Sequence, residues 1–538
     1  MGPKKVTDCI HPADARGALF DQHHTLTHNS RNFRPPYPNF QSTLTLLSFS
    51  NKKPMILVRL YHTLTLNTFY EAWLGILTVV CLLLLLAERY VSKKEKSLQV
   101  KESADDRIES QRSPGIPGAL KALAKKYLVV YAIVMGADWL QGPYVYSLYR
   151  QQYDFPERLV ALLFVTGFLS AGMAAPLVGV WADQHGRRKL CLAFCVTYTL
   201  ACILILVPSL PILLVGRLLG GVSTSILFSA FESWLISSAS SSGLSSGDLS
   251  TIMGRATLVN GFVAAAAGVF SNKLVETTGN FASPFVASGL LLVLGFFVIS
   301  ASWIENYGGG GGSATTDLWQ VKRMGQAWRI VRDDPMLFIL GLTQTCFEGS
   351  MYLFVFIWVP SLQEVTRYGS VLPFGYIFSS FMVSMMSGSL LYTMIVTYSK
   401  IKDVESSLTT HAKLSSIVCA VSALSLACSI STRSEEVRFW AFCAFEACVG
   451  MYYPVQGMLR GTLISNEHRA TLSSLFRVPL NVFVVFSLLT GVSSARQAVL
   501  TGSAIMLAFS SLMTGAVIVD QSDAVAQGAV GNGHRLGP

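Results

Sequence analysis

Charge is what this sequence has least of. Asp, Glu, Lys and Arg make up 13% of its 538 residues, against 51% hydrophobic residues, whereas an average soluble domain carries about 25% charged residues. A soluble chain of this length would form several domains, each needing a polar skin. Its 41 basic and 31 acidic residues, many of them crowded into the first 126, cannot supply one. Apolar–polar alternation is missing as well, which excludes a membrane β-barrel. The ten cysteines form no CxxC pair and no Cys/His ligand spacing. They read as small packing residues, and no metal or other cofactor is expected. A Ser/His/Asp set, an HExxH helix and a Walker loop are all missing, which argues against an enzyme and against ATP-driven pumping. The net charge of +10 comes without an aromatic-interleaved basic groove, so it does not point to nucleic acid. Oligomeric state leaves no signal.

What is present is a series of long apolar runs. One spans Phe69 to Leu86, and twelve more follow near 127–149, 158–182, 190–207, 211–236, 252–274, 284–304, 335–359, 371–398, 412–430, 437–459, 471–493 and 497–519. Each has about the 17–25 residues that cross a ~30 Å hydrocarbon core as a helix, and only helices satisfy every backbone amide there. The sequence therefore predicts an all-α polytopic membrane protein. Residues 1–66 form a polar leader, expected to be disordered, with a His-rich patch (His23, His24, His28) for which metal binding is the alternative reading. Residues 67–90 form an extra transmembrane helix and 91–126 a charged linker. Two six-helix halves, 127–304 and 335–519, flank a central loop at 305–334 that carries Gly308 to Gly312, and 520–538 is a disordered tail.

The remaining charges sort by place. Nineteen Lys and Arg fall in 89–126, Arg187 to Lys189, the central loop, and Lys400 with Lys402. The opposite loops hold seven: Arg150, Arg158, Lys273, Arg367, Arg433, Arg438 and Arg496. The excess assigns the linker and central loop to the cytoplasm. Within the apolar runs, Asp138, Arg217, Glu348 and Glu446 lie at middle depths, and Glu232, Arg255 and Arg477 lie toward the cytoplasmic ends. An ionisable group near the bilayer centre costs about 2.5–3.5 kcal/mol or more, so each needs a partner or a function. An offset near 210 brings Asp138 onto Glu348, and one of 222 brings Arg255 onto Arg477, the trace of a duplicated six-helix unit. Trp139, Tyr153, Trp303, Tyr307 and Trp440 read as interfacial anchors. Pro143 and Pro454 are candidate kinks, and Gly220-Gly221 permits close helix approach.

The turn Gly179-Val-Trp-Ala-Asp183-Gln-His-Gly186-Arg187-Arg188-Lys189 resembles the GxxxDxxGRR signature of the major facilitator superfamily, and Arg217-Leu-Leu-Gly220-Gly221 its RxxxG pattern. Gly186 would allow a tight turn, Arg187 and Arg188 would reach carboxylates at neighbouring helix ends, and Asp183 would face a helix N-terminus. Gly136-Ala-Asp138-Trp-Leu-Gln141-Gly-Pro143-Tyr, Leu214 to Ser225, Phe228-Ser-Ala-Phe-Glu232-Ser-Trp, Ile304-Glu-Asn-Tyr307, Ile377 to Met382 and Phe476-Arg477-Val-Pro-Leu480 are similar to the eukaryotic molybdate-anion transporter family. The resemblance covers about 70–520 and implies a twelve-helix facilitator fold in the plasma membrane, performing high-affinity molybdate uptake by alternating access.

Molybdate is a tetrahedral dianion, and the planar fork of arginine holds oxyanions bidentately. Arg217 and Arg477, with Asn260 and Asn481, are the candidate binding residues. Asp138, Glu348 and Glu446 would repel a dianion unless protonated or paired. They read as coupling sites or counter-ions that hold the empty arginines, a logic that admits proton symport. Structural ion pairs are an equal alternative. Glu232, paired with Arg187 or Arg255, would form an inner gate together with Asp183 and Arg188. Another anion such as sulfate, or a non-transporting receptor or scaffold on the same fold, stays open.

Overall fold

A computed structural model describes residues 53–102, 117–307, 321–366, 372–402, 406–464, 469–490 and 495–522. The leader up to residue 52, residues 103–116 of the linker, the glycine run and the tail from 523 lie outside the described residues. Among the described residues the chain is helical and holds no strand. Nine of the described helices are long and apolar enough to cross a membrane.

Helix α1 (Lys53–Glu102) contains the extra span. The first half comprises α2 (Pro117–Gln141), α3 (Glu157–His185), α4 (Arg187–Leu204), α5 (Leu210–Leu227), α6 (Ala230–Ser241), α7 (Ser246–Thr278) and α8 (Ser283–Ser302). A short amphipathic helix, α9 (Val321–Asp333), leads into the second half: α10 (Pro335–Val365), α11 (Phe374–Lys402), α12 (Ser407–Ser431), α13 (Glu435–Leu463), α14 (Arg469–Thr490) and α15 (Arg496–Met513). Outside the nine, three helices are charged toward an end: Lys121, Lys125 and Lys126 on α2, Arg187 to Lys189 on α4, and Glu435, Glu436, Arg438 and Arg460 on α13.

Two boundaries differ from the apolar runs. The run expected over 127–149 is a helix only to Gln141, because Gly142-Pro143 interrupts it and the chain restarts at Val145. The fourth run breaks after Leu227 and resumes at Ala230, with no proline to mark the place. Two tryptophans are also not the anchors expected. The Trp303 ring is 3% exposed, stacks on Trp234 with centroids 3.7 Å apart, and donates Nε1–H to the Lys126 carbonyl at 3.3 Å. Trp139 donates to Asn260 Oδ1 at 2.8 Å and faces Phe378. Each indole fills core space while its N–H finds an internal acceptor.

Close packing depends on glycine. Gly221 on α5 lies against the Gly167 carbonyl on α3, and an added Cβ would come within 2.7 Å of the Ser170 Cβ. Gly388 on α11 meets the Ala447 backbone while Gly450 on α13 meets that of Met385, so these two helices approach reciprocally. The halves meet through α7 and α11, where Ser379 Oγ donates to the Ala265 carbonyl at 2.7 Å. There Asn272 Oδ1 accepts both Tyr144 OH (2.7 Å) and the Gly375 amide (3.3 Å). Helix α1 belongs to the second half. Tyr70 donates to Glu435 at 2.7 Å, Trp73 packs on Trp440, and a leucine stripe including Leu74, Leu77 and Leu84 lies against Val383 and Leu390 of α11.

The Arg187–Lys189 turn is built by a residue distant in sequence. Just after α8, Glu305 accepts the Arg188 amide (2.8 Å) and the Lys189 amide (3.1 Å) at the start of α4, where the helix dipole favours an anion. Gly186 has φ +101, and a Cβ there would sit 2.6 Å from the Glu305 carboxyl carbon. Asn306 completes the seal by donating to the Trp234 carbonyl at 3.1 Å and to Ser238 Oγ at 2.9 Å.

Substituting Gly388 or Gly450 with alanine should cost about 1–3 kcal/mol through overpacking, read as a lower melting temperature of the purified protein; an unchanged value would contradict the tight seam. Glu305→Ala should speed hydrogen exchange at the Arg188 and Lys189 amides by about tenfold or more, the scale of a lost charge-assisted hydrogen bond. Exchange at wild-type rates would remove the cap.

Candidate functional site

In the first half the central feature is a cation without a carboxylate. The Arg217 guanidinium on α5 lies between two rings, 5.1 Å from the centroid of Tyr149 and 5.2 Å from that of Phe164. Such stacking is worth ~2 kcal/mol or more when desolvated. The buried Nε and Nη2 have no hydrogen-bond partner among the described residues, and no carboxylate among them pairs with Arg217. Gly167 leaves room for its Cδ. On the neighbouring α4, Tyr198 donates to Asp138 on α2 at 2.6 Å, and its ring lies 3.9 Å from where a Cβ would stand at Gly220, one turn after Arg217 on α5. Asn260 is engaged by Trp139.

The second half repeats the carboxylate–tyrosine element. Glu348 on α10, 8% exposed, accepts Tyr452 OH at 3.3 Å and Gln344 Nε2 at 3.4 Å. Glu446 on α13 is 6% exposed and makes no hydrogen bond or ion pair among the described residues, although a buried ionised group needs compensation. Arg477 on α14 is exposed, and Asn481, one turn further along, lies near Gly172 of α3, where an added Cβ would stand 3.3 Å from Nδ2. No contact joins Arg217 and Arg477 among the described residues: Arg217 lies in its ring slot in the first half, and Arg477 lies exposed on α14 in the second.

The two ends of the molecule differ. At the end away from the Arg187–Lys189 turn, Arg496 on α15 pairs with Glu157 on α3, with Nε 3.3 Å from Oε1 and Nη2 3.3 Å from Oε2. Arg496 Nη1 also donates to the Pro360 carbonyl at 3.4 Å, and Tyr146 OH donates to Glu157 at 3.4 Å. Beneath this pair, Phe356 of the second half packs edge-on to Tyr146 and Phe164 of the first. At the basic end the expected gate is not closed. Glu232 and Arg255 are exposed and form no ion pair among the described residues. Added Cβ atoms at Gly254 and Gly457 would meet nothing within 4 Å. Arg188 turns its Nη2 to the Ser300 carbonyl at 2.8 Å, so its amide rather than its side chain meets the carboxylate. The Arg187 amide donates to the Asn306 carbonyl at 3.0 Å. Asp183 lies on the last turns of α3, with its side chain outside the described residues.

Tyr149, Phe164, Tyr198, Glu157 and Arg496 were not among the sequence candidates. The aromatic residues lie in apolar stretches where they carry no distinguishing signal. Glu157 and Arg496 lie toward run edges, where charge is ordinary.

A family model described as sugar transporters with 12 TM matches residues 97–444. A Xenopus tropicalis protein named molybdate-anion transporter is 32% identical over 382 residues, covering 71% of this chain and 81% of its own. Proteins of the same name from Takifugu rubripes and Danio rerio are 30% and 32% identical, covering 73% and 69% of this chain and 85% and 79% of theirs. Among solved structures, the nucleoside transporter NupG superposes with a TM-score of 0.58 at 11% identity, over 73% of this chain and 99% of its own. The human organic anion transporter MFSD10 (TETRAN) does so with a TM-score of 0.52 at 14% identity, over 73% and 99%. These structures share the twelve-helix facilitator fold. The chain is a membrane transporter and belongs to the molybdate-anion transporter family of the major facilitator superfamily.

Proposed function

We propose that this chain carries molybdate into the cell across the plasma membrane as a secondary active transporter. The observation that carries the reading is Arg217, a ring-stacked guanidinium whose buried Nε and Nη2 have no hydrogen-bond partner among the described residues. A tetrahedral oxyanion supplies those acceptors, and the desolvated setting strengthens the bond. The names of the relatives favour molybdate as the anion.

The basic end is assigned to the cytoplasm by the positive-inside rule. With Glu157–Arg496 and the Phe356 layer closing the other end, this conformation is open to the cytoplasm. Opening outward requires that pair to part while Glu232, Arg255 and Arg477 approach one another. Asp138, Glu348 and Glu446 are the candidate proton sites. Glu446 is the foremost, because a buried carboxyl without a partner among the described residues is best accommodated neutral. Its protonation would pass one positive charge inward with the dianion.

In molybdate-transport-deficient cells, radiolabelled molybdate uptake should exceed that of empty-vector cells and fall by about tenfold or more in Arg217→Ala, given a loss of 1.5–3 kcal/mol for a charge-assisted contact. With surface expression verified, wild-type uptake at background would sink the transport reading, while full activity of Arg217→Ala would sink the site alone. Tungstate should compete and sulfate should compete more weakly; the reverse order would change the cargo.

Glu157→Arg should depress uptake by same-charge repulsion against Arg496. The double variant Glu157→Arg/Arg496→Glu should recover most of it, measured in the same cells. A double variant no better than the single one would exclude the pair as an outer latch.

A further inference from the structure

The buried seam between α10 and α13 leaves oxygen atoms without donors. Gln344 and Glu348 lie one turn apart on α10, and Tyr452 and Gln456 one turn apart on α13, so each pair shares a stripe of its helix. The stripes meet. Tyr452 OH donates to Glu348 Oε1 at 3.3 Å, and Gln344 Nε2 donates to Glu348 Oε2 at 3.4 Å. Gln456 Nε2 donates at 3.2 Å to the carbonyl of Leu340, one turn before Gln344. None of the four side chains is more than 8% exposed, and the Tyr452 ring is held flat on Phe347 with centroids 3.9 Å apart.

These bonds fix which end of each amide is free. Turned over, Gln344 would set its Oε1 against the ionised Glu348 carboxylate, and Gln456 would set its Oε1 against the Leu340 carbonyl, acceptor against acceptor. Oε1 is therefore the free end of both, and both atoms are buried without a hydrogen-bond partner among the described residues. The oxygen and nitrogen of one amide lie about 2.3 Å apart. Gln344 Oε1 thus stands beside the carboxylate, and Gln456 Oε1 beside the turn of α10 that carries Gln344. No ion pair reaches Glu348 among the described residues. The first half differs: Asp138 also receives a tyrosine, but Gln141, a turn further on, donates to Ser288 Oγ and leaves no buried unpartnered oxygen.

A water molecule could serve the two amide oxygens but would leave the carboxylate's charge in place. A hard cation answers both, since carboxylate, carbonyl and hydroxyl oxygens are its ligands. One carboxylate balances one positive charge, so a monovalent ion fits, and a divalent ion would leave a buried surplus. We propose that Gln344, Glu348, Tyr452 and Gln456 bind a sodium ion between α10 and α13. Of the candidate proton sites, Glu348 then takes sodium and Glu446 keeps the proton. The role of the ion rests on the molybdate reading: one sodium ion and one proton make the passage of a dianion electroneutral.

The test uses the purified full chain in lipid nanodiscs, with radiolabelled sodium as the probe, and molybdate uptake in transport-deficient cells. Wild-type protein should bind sodium saturably, with unlabelled sodium displacing the label and choline failing to do so. Glu348→Gln should abolish this binding, and Gln456→Leu should weaken it about tenfold, the scale of losing one contact to a charged group. Uptake should fall when choline replaces sodium at constant pH. A wild-type protein with no saturable sodium binding, or binding unchanged in both variants, would overturn the site. Sodium binding combined with uptake indifferent to choline replacement would overturn the coupling role. Sodium binding by a chain that carries no molybdate would overturn the transport reading and leave the site standing.

Discussion

Charge is expensive in a low-dielectric slab, and most of this structure answers that cost. Loops and helix ends absorb the majority of ionised residues, where water or the headgroup region solvates them. Those that remain inside are met by particular devices. Asp138 and Glu348 each receive a tyrosine hydroxyl, Arg438 receives two carbonyls, and Arg217 receives two ring faces. Glu305 spends its charge on backbone amides rather than on an arginine side chain.

The two halves solve the same problem with different parts. The first helix of each half carries the carboxylate, as expected for a duplicated unit. In the first half the tyrosine comes from α4, and in the second half from α13. The cations diverge further: Arg217 is stacked between two rings, whereas Arg477 is exposed on α14.

Much of this was legible in the sequence, for reasons set by the solvent. Hydrocarbon thickness fixes run length, so the span count and the six-plus-six division follow from apolar runs, and the stop at Gln141 follows from Gly142-Pro143. The break after Leu227 had no such mark. Arg217 stood out as a lone charge among apolar neighbours. Its aromatic walls did not, because Tyr149 and Phe164 become partners only through tertiary contact. Glu232 and Arg255 were expected to close a gate from their depth alone. Depth alone does not fix a partner, and here both are exposed with no ion pair among the described residues.

Helix α1 is joined to the second half by Tyr70–Glu435 and its leucine seam, yet in the chain it precedes the first half. From Glu102 to Pro117 the connection is short, with a full reach of about 50 Å for the fourteen residues between them. The chain leaves the first half again after Asn306, close to the Arg187 turn, to enter α9. Both covalent connections between the halves therefore lie at the basic end, like two hinges on one edge of a door. At the opposite edge they are joined by non-covalent contacts, Glu157 with Arg496 and Asn272 with the Gly375 amide among them.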